Sequence, residues 1–172
     1  MARRIHPRRW LGLGAIALAG LLSACEGGQP LGATGGSTSG TALDGGDATA
    51  MLVYTPRGEP IDESGFVSLG SPENLGGRVL EGNPEIFARI DYSHNGVTAG
   101  LFKATTGKIE VTFPFTEHAT VLQGEVTITD GTGQSHTYKA GESYFIRQGS
   151  VVIWEVTGQE VIKSFFNTVE AL

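Results

Sequence analysis

The chain has 172 residues, 12 of them basic and 18 acidic, for a net charge of −6; 40% are hydrophobic and 8% aromatic. This supplies one core of modest size, and the acidic balance argues against nucleic acid as a partner. The single cysteine, Cys25, excludes an internal disulfide.

The N-terminal segment carries Arg3, Arg4, Arg8 and Arg9, followed by an apolar run from Trp10 to Leu22. That run is shorter than the roughly 20 apolar residues of a spanning helix, and this order of charge, apolar run and small residues is that of a secretory leader. The block Leu22-Ser23-Ala24-Cys25 resembles a bacterial lipobox. The resemblance implies that residues 1–24 are a lipoprotein signal peptide and that Cys25 becomes a lipidated N-terminus. Two or more acyl chains give stable anchoring where one does not. The implied address is the bacterial cell envelope, on a periplasmic or extracellular membrane face. The Arg8-Arg9 pair is followed by Trp10, Leu11 and Gly12, which fits twin-arginine export poorly, so general export is the expected route.

Residues 25–49 follow as lipidated cysteine and linker. From Glu26 the composition is rich in Gly, Ser and Thr and has no hydrophobic period. Such a tether spans about 25–30 Å root-mean-square. Loss of the four leader arginines leaves 8 basic residues against 18 acidic ones, a net charge of −10.

Residues 50–85 are broken by Pro56, Pro60, Pro72 and Pro84 and read as an N-terminal arm with one or two short strands packed on the barrel. Residues 86–172 alternate with a period of two. The expected strands are Ile86–Tyr92, Val97–Ala104, Lys108–Phe115, Ala119–Gln123, Glu125–Asp130, Ser135–Ala140, Ser143–Arg147, Val151–Val156 and Val161–Thr168. They are rich in β-branched and aromatic residues. Turn chemistry separates them at Asn95-Gly96, Thr106-Gly107, Asp130-Gly131, Gly141, Gln148-Gly149 and Gly158. Strands at this spacing predict an all-β sandwich or barrel.

From Gly100 to Phe166 several blocks occur in a specific order. They are Gly100-Leu-Phe-Lys-Ala-Thr-Thr-Gly107, Phe113-Pro-Phe-Thr-Glu117, Val121-Leu-Gln-Gly-Glu125, Gly141-Glu-Ser-Tyr-Phe-Ile-Arg147 with Gly149, Trp154-Glu-Val156 and Val161-Ile-Lys163. Together they resemble the cupin domain of the ureidoglycine aminohydrolase type. The resemblance implies a small single-domain cupin jelly-roll barrel, and pairing of two copies as a homodimer through a barrel edge.

The family's metal members use two histidines, a glutamate and a third histidine. By the resemblance those positions are Val111, Phe113, Glu117 and Val152, and only Glu117 keeps a donor. One carboxylate without imidazoles does not make a transition-metal site, so no metal and no cofactor are expected. Arg147 replaces the usual proline of the second motif. Alternation sets Ile109, Val111, Phe113 and Phe115 on one face, expected inside. His118 then faces away from Glu117, and His94 and His136 read as solvated surface residues.

Glu117 and Lys163 keep family positions and are the two polar candidates for the interior. An inward carboxylate needs a partner, and if Lys163 also points inward the two form a buried ion pair. It reads either as an anchor for a small polar ligand or as a structural pair. Arg147 and Lys103 are candidates for the mouth of the barrel. Trp154 and Phe113, with Phe115, Tyr144 and Phe165, read as pocket walls or as ordinary core. Three functions follow: a lipid-anchored binding or accessory module, an enzyme related to ureidoglycine aminohydrolase acting on amides or ureides, and a structural envelope lipoprotein. No Gly-x-Ser-x-Gly elbow or phosphate-cradling loop adds another.

Overall fold

The computed structural model describes residues 51–54 and 60–170. The leader, Cys25 and the linker lie outside the described residues. The described residues form nine strands: β1 (Val67–Gly70), β2 (Arg78–Gly82), β3 (Ile86–His94), β4 (Val97–Thr112), β5 (Thr116–Gln123), β6 (Glu125–Thr129), β7 (Ser135–Lys139), β8 (Ser143–Ile146) and β9 (Val151–Thr168). The helical element among the described residues is a single 3-10 turn, Pro72–Leu75. Ser71 caps it by accepting the Glu73 N–H, and Gly76 closes it in the left-handed conformation.

The long strands β4 and β9 form the spine. They pair antiparallel from Val97↔Thr168 to Thr112↔Val151. The N-terminal half of β4 also pairs with β3, and its C-terminal half with β2. The C-terminal half of β9 pairs with β5, and its N-terminal half with β6. One face therefore runs β1-β3-β4-β9-β5-β8 and the other β2-β4-β9-β6-β7. This is an all-β jelly-roll barrel with two sheets that share their central strands.

The sequence reading splits each spine strand in two. The structure instead carries both through the corner, where the β4–β9 register shifts between Thr105 and Gly107. The Thr106 hydroxyl donates to the Gly158 carbonyl across the bend. A bulge bends a strand without ending it, which is why the turn signals there marked a corner. Residues read as an arm provide β1 and β2, each hydrogen-bonded at an outer edge of a sheet.

The core lies between the sheets and includes Ile86, Ile109, Phe113, Val121, Val126, Ile128, Ile146, Trp154, Val161 and Phe165. Alternation points Leu101 and Ile162 away from it, yet they are only 1% and 0% exposed. The segment Asp62–Phe66 is tied across this outer side. Lys103 Nζ lies 2.6 Å from Glu63 and 5.5 Å from the Phe66 ring centre. Arg89 Nη1 donates to the Asp62 carbonyl at 3.0 Å, while its Nε pairs with Asp91 at 3.0 Å. Lys103 is thus a clasp on the outer face and not a residue of the barrel mouth: it alternates with the inward Phe102 and Ala104.

Gly124 joins β5 to β6 with φ of +74°, and a Cβ there would stand 2.2 Å from the Glu160 carbonyl oxygen. Left-handed strain costs about 1–3 kcal/mol, and the clash adds to it. Gly124→Ala is expected to lower stability by about 3 kcal/mol or more in urea unfolding. Gly133→Ala, at φ of +87° with nothing near its Cβ, is expected to cost about 1 kcal/mol. Equal losses would contradict the contact.

Candidate functional site

Strand alternation aims Glu117 of β5, Tyr144 of β8 and Lys163 of β9 into the barrel. Glu117 is 2% and Lys163 5% exposed. Lys163 Nζ donates to Glu117 Oε1 at 2.5 Å and to the Tyr144 hydroxyl oxygen at 2.8 Å. Tyr144 in turn donates to Glu117 Oε1 at 3.0 Å. The ammonium therefore has a carboxylate and a phenol as partners. It also lies 5.0 Å from the ring centre of Phe102, 5.3 Å from Tyr144 and 5.7 Å from Trp154. Aromatic faces at this range attract a cation, the more so when desolvated. Phe102 and Trp154 meet edge to face at 6.0 Å.

Burial lowers the Lys163 pKa below its ordinary 10.5, and the Glu117 carboxylate opposes that shift. Burial, then the Glu117 charge, pushes the Tyr144 phenol well above its ordinary 10.0. Tyr144 is thereby held as a proton donor across the neutral range. The buried Trp154 indole N–H and Asn167 Oδ1 make no hydrogen bond among the described residues.

Tyr144 also forms the wall of a groove of about 510 Å³ between β7 and β8. Ile128, His136, Tyr138, Ile146 and Val152 line it as well. Its rings form a series running inward: His136 and Tyr138 are 4.5 Å apart, and Tyr138 and Tyr144 are 5.3 Å apart. His136 is exposed, as expected from the sequence, and it also lines the groove. It pairs in register with the inward Ile128, so on this edge strand it turns toward the groove.

Of the residues singled out from the sequence, Glu117, Lys163 and Trp154 come together. Phe113 lies elsewhere in the core, edge to face with Phe115 at 5.9 Å. Arg147 is exposed in the turn after β8, where its carbonyl accepts the Ser150 N–H. His118 is exposed and alternates with the inward Glu117. His94 is exposed at the β3–β4 hairpin. Tyr144 as a hydrogen-bond partner, and Asn167, Tyr138 and His136 as interior or groove residues, were not recognised as such from sequence. Parity within the short strands β7 and β8 was the signal available for three of them.

Val111 and Val152 are paired in register, and Val152 and Phe113 are buried. With Glu117 Oε1 held by an ammonium, three hydrocarbon side chains and one engaged carboxylate do not fit a transition-metal ion. Among the described residues, no three His, Cys, Asp or Glu side chains gather as metal ligands.

Residues 93–165 match the sequence model of the EutQ-like cupin domain, so this part of the chain is a cupin domain. No curated protein matches the chain. Among solved structures, a candidate ethanolamine utilization protein Q (EutQ) of Salmonella typhimurium LT2 shares 21% identity at a TM-score of 0.44, over 49% of this chain and 69% of its own. The Clostridium difficile EutQ protein shares 16% at 0.46, over 50% and 69%. A protein of unknown function in the DUF861 family from Pseudomonas syringae pv. tomato str. DC3000 shares 19% at 0.50, over 53% and 40%. This last likeness bears on the fold.

Removing one member of the pair leaves a buried charge. Lys163→Met and Glu117→Leu are each expected to cost about 3–5 kcal/mol. Glu117→Leu combined with Lys163→Met is expected to recover most of that loss in urea unfolding. Additive losses in the double variant would contradict the coupling.

The phenol has a separate signature in alkali. Above about pH 10 a tyrosine in the unfolded chain ionises while Tyr144 does not, so the folded state holds the extra proton and stability falls as pH rises. The lowered Lys163 pKa acts in the opposite sense, between its folded value and 10.5, where stability rises with pH. Tyr144→Phe is expected to flatten the fall above pH 10 when melting is followed from pH 8 to 11. An unchanged slope would contradict the account.

Proposed function

We propose that this protein is a lipid-anchored cell-envelope cupin that works without a metal and binds a small polar ligand in the groove between β7 and β8. The observation that carries the reading is the double position of Tyr144. One side of the residue lines the groove, and its hydroxyl bonds both Glu117 and Lys163. A ligand against Tyr144 is thereby coupled to a buried ion pair through one side chain. The aromatic series His136–Tyr138–Tyr144 supplies stacking surface, and small-ligand sites combine such surface with a few aimed polar groups. The leader pattern and the Cys25 lipobox support the anchor.

The depth of the ion pair favours a second reading, in which Glu117 and Lys163 only hold β5 and β9 in register inside an envelope lipoprotein. Buried pairs do serve packing specificity.

Thermal shift of the full chain against a panel of small sugars, amides, amino acids and carboxylates separates the two. The binding reading expects one chemical class to raise the melting temperature. Tyr138→Ala is then expected to weaken that response about tenfold or more without lowering the melting temperature of the free protein by more than a few degrees. A panel without a single response would favour the structural reading. Cys25→Ala is expected to move the protein from the membrane fraction to the soluble fraction of cells. Retention on the membrane would contradict the anchor.

A further inference from the structure

Asp130 and Gln134 both line the groove where β6 turns into β7, and the Asp130 N–H donates to the Gln134 carbonyl at 2.9 Å. Asp130 continues the inward side of β6 two residues past Ile128, and Gln134 precedes His136 and Tyr138 on the inward side of β7. The Asp130 carboxylate is pinned by its own turn. Its Oδ1 accepts the Thr132 hydroxyl at 2.6 Å, the Thr132 N–H at 2.8 Å and the Gln134 N–H at 3.1 Å. These donors, the Thr132 hydroxyl first, hold the carboxyl below its ordinary 3.8, so it is ionised across the neutral range. None of the three bonds uses Oδ2. Asp130 is exposed, and no ion pair among the described residues reaches it.

Charge selects the ligand. Among the described residues, no lysine or arginine lines the groove. Lys163, behind Tyr144, is already neutralised by Glu117 at 2.5 Å, so Asp130 sets the sign of the groove. An anion would face that fixed charge with no side-chain cation to offset it. The rings of the groove wall favour a cation as well. His136 and Tyr138 meet at 63°, and Tyr138 and Tyr144 at 57°. Rings at such angles present faces in two directions, which suits a compact cation more than the flat face of a sugar ring. The volume of about 510 Å³ is that of a small-molecule site.

We propose that the groove takes an organic ammonium, with Asp130 as its counter-charge and the rings of Tyr138 and Tyr144 against its carbon substituents. The proposal rests on the groove being a ligand site and names the chemical class that site takes.

The test uses the full chain with benzylammonium, benzyl alcohol and benzoate, one ring with three charges, at up to about 10 mM, read by thermal shift and titration calorimetry. Benzylammonium is expected to raise the melting temperature and to bind about tenfold or more tightly than the other two. Asp130→Asn keeps an oxygen for the Thr132 and Gln134 donors and removes the charge. It is expected to abolish that preference while moving the melting temperature of the free protein by no more than a few degrees. Glu73→Gln removes the same charge from the exposed 3-10 turn and is expected to leave the preference intact, which separates the site from general attraction to an acidic chain. No response to benzylammonium, equal responses to all three compounds, or an unchanged preference in Asp130→Asn would overturn the proposal. If benzyl alcohol, benzoate or another member of the wider panel binds in a Tyr138-dependent way while benzylammonium does not, the groove reading stands and the ammonium assignment falls.

Discussion

The hydrogen-bonded pair of Glu117 and Lys163 is the constraint on which the interior of this barrel depends. A carboxylate and an ammonium at 5% exposure or less are tolerable only together. Their contact ties β5 to β9, and Tyr144 extends the tie to β8. The first sheet is thereby cross-linked through the interior by polar bonds as well as along its strands. The three aromatic faces around Nζ replace water as the environment of the cation. The barrel interior thus carries a positive charge of its own, on a side chain.

The spine strands make this arrangement possible. Because β4 and β9 pass through the corner near Gly107 and Gly158 without ending, each contributes to both sheets. Lys163 and Trp154 belong to one strand yet approach the same point from opposite sheets. The corner also leaves β7 and β8 as the free edges of their sheets, and the groove opens between those two edges. The clasp of Asp62–Phe66 covers the other side, around Lys103 and Arg89, and keeps Leu101 and Ile162 from water.

The period-two pattern was strong enough to make the all-β class and most strand positions legible, because burial on one face imposes alternation wherever a sheet is half-solvated. It did not show continuity through the corner: glycine and threonine signals are the same for a turn and for a bulge. The inward direction of Glu117 was an expectation of the resemblance and that of Lys163 a condition left open; the structure buries both. The role of Tyr144 was less accessible. In the four-residue strand β8 it reads as one more apolar position, and only the approach of β9 from across the barrel gives its hydroxyl two partners. Asn167 was missed for a related reason, and so was the groove-facing side of the exposed His136. Each takes its direction from its cross-strand neighbour, Glu117 for one and Ile128 for the other, and register between distant strands is not written in local spacing.

The central claim is that the buried pair of Glu117 and Lys163, without a metal ion, organises the interior of this barrel. The most direct measurement is elemental analysis of the full chain, purified without a metal-affinity tag or chelator and incubated with manganese, iron, nickel and zinc. Less than about a tenth of an equivalent of any metal retained after desalting is the result the account predicts, since a real site needs several ligands with matched geometry. Near-stoichiometric metal that is lost in Glu117→Ala would contradict it.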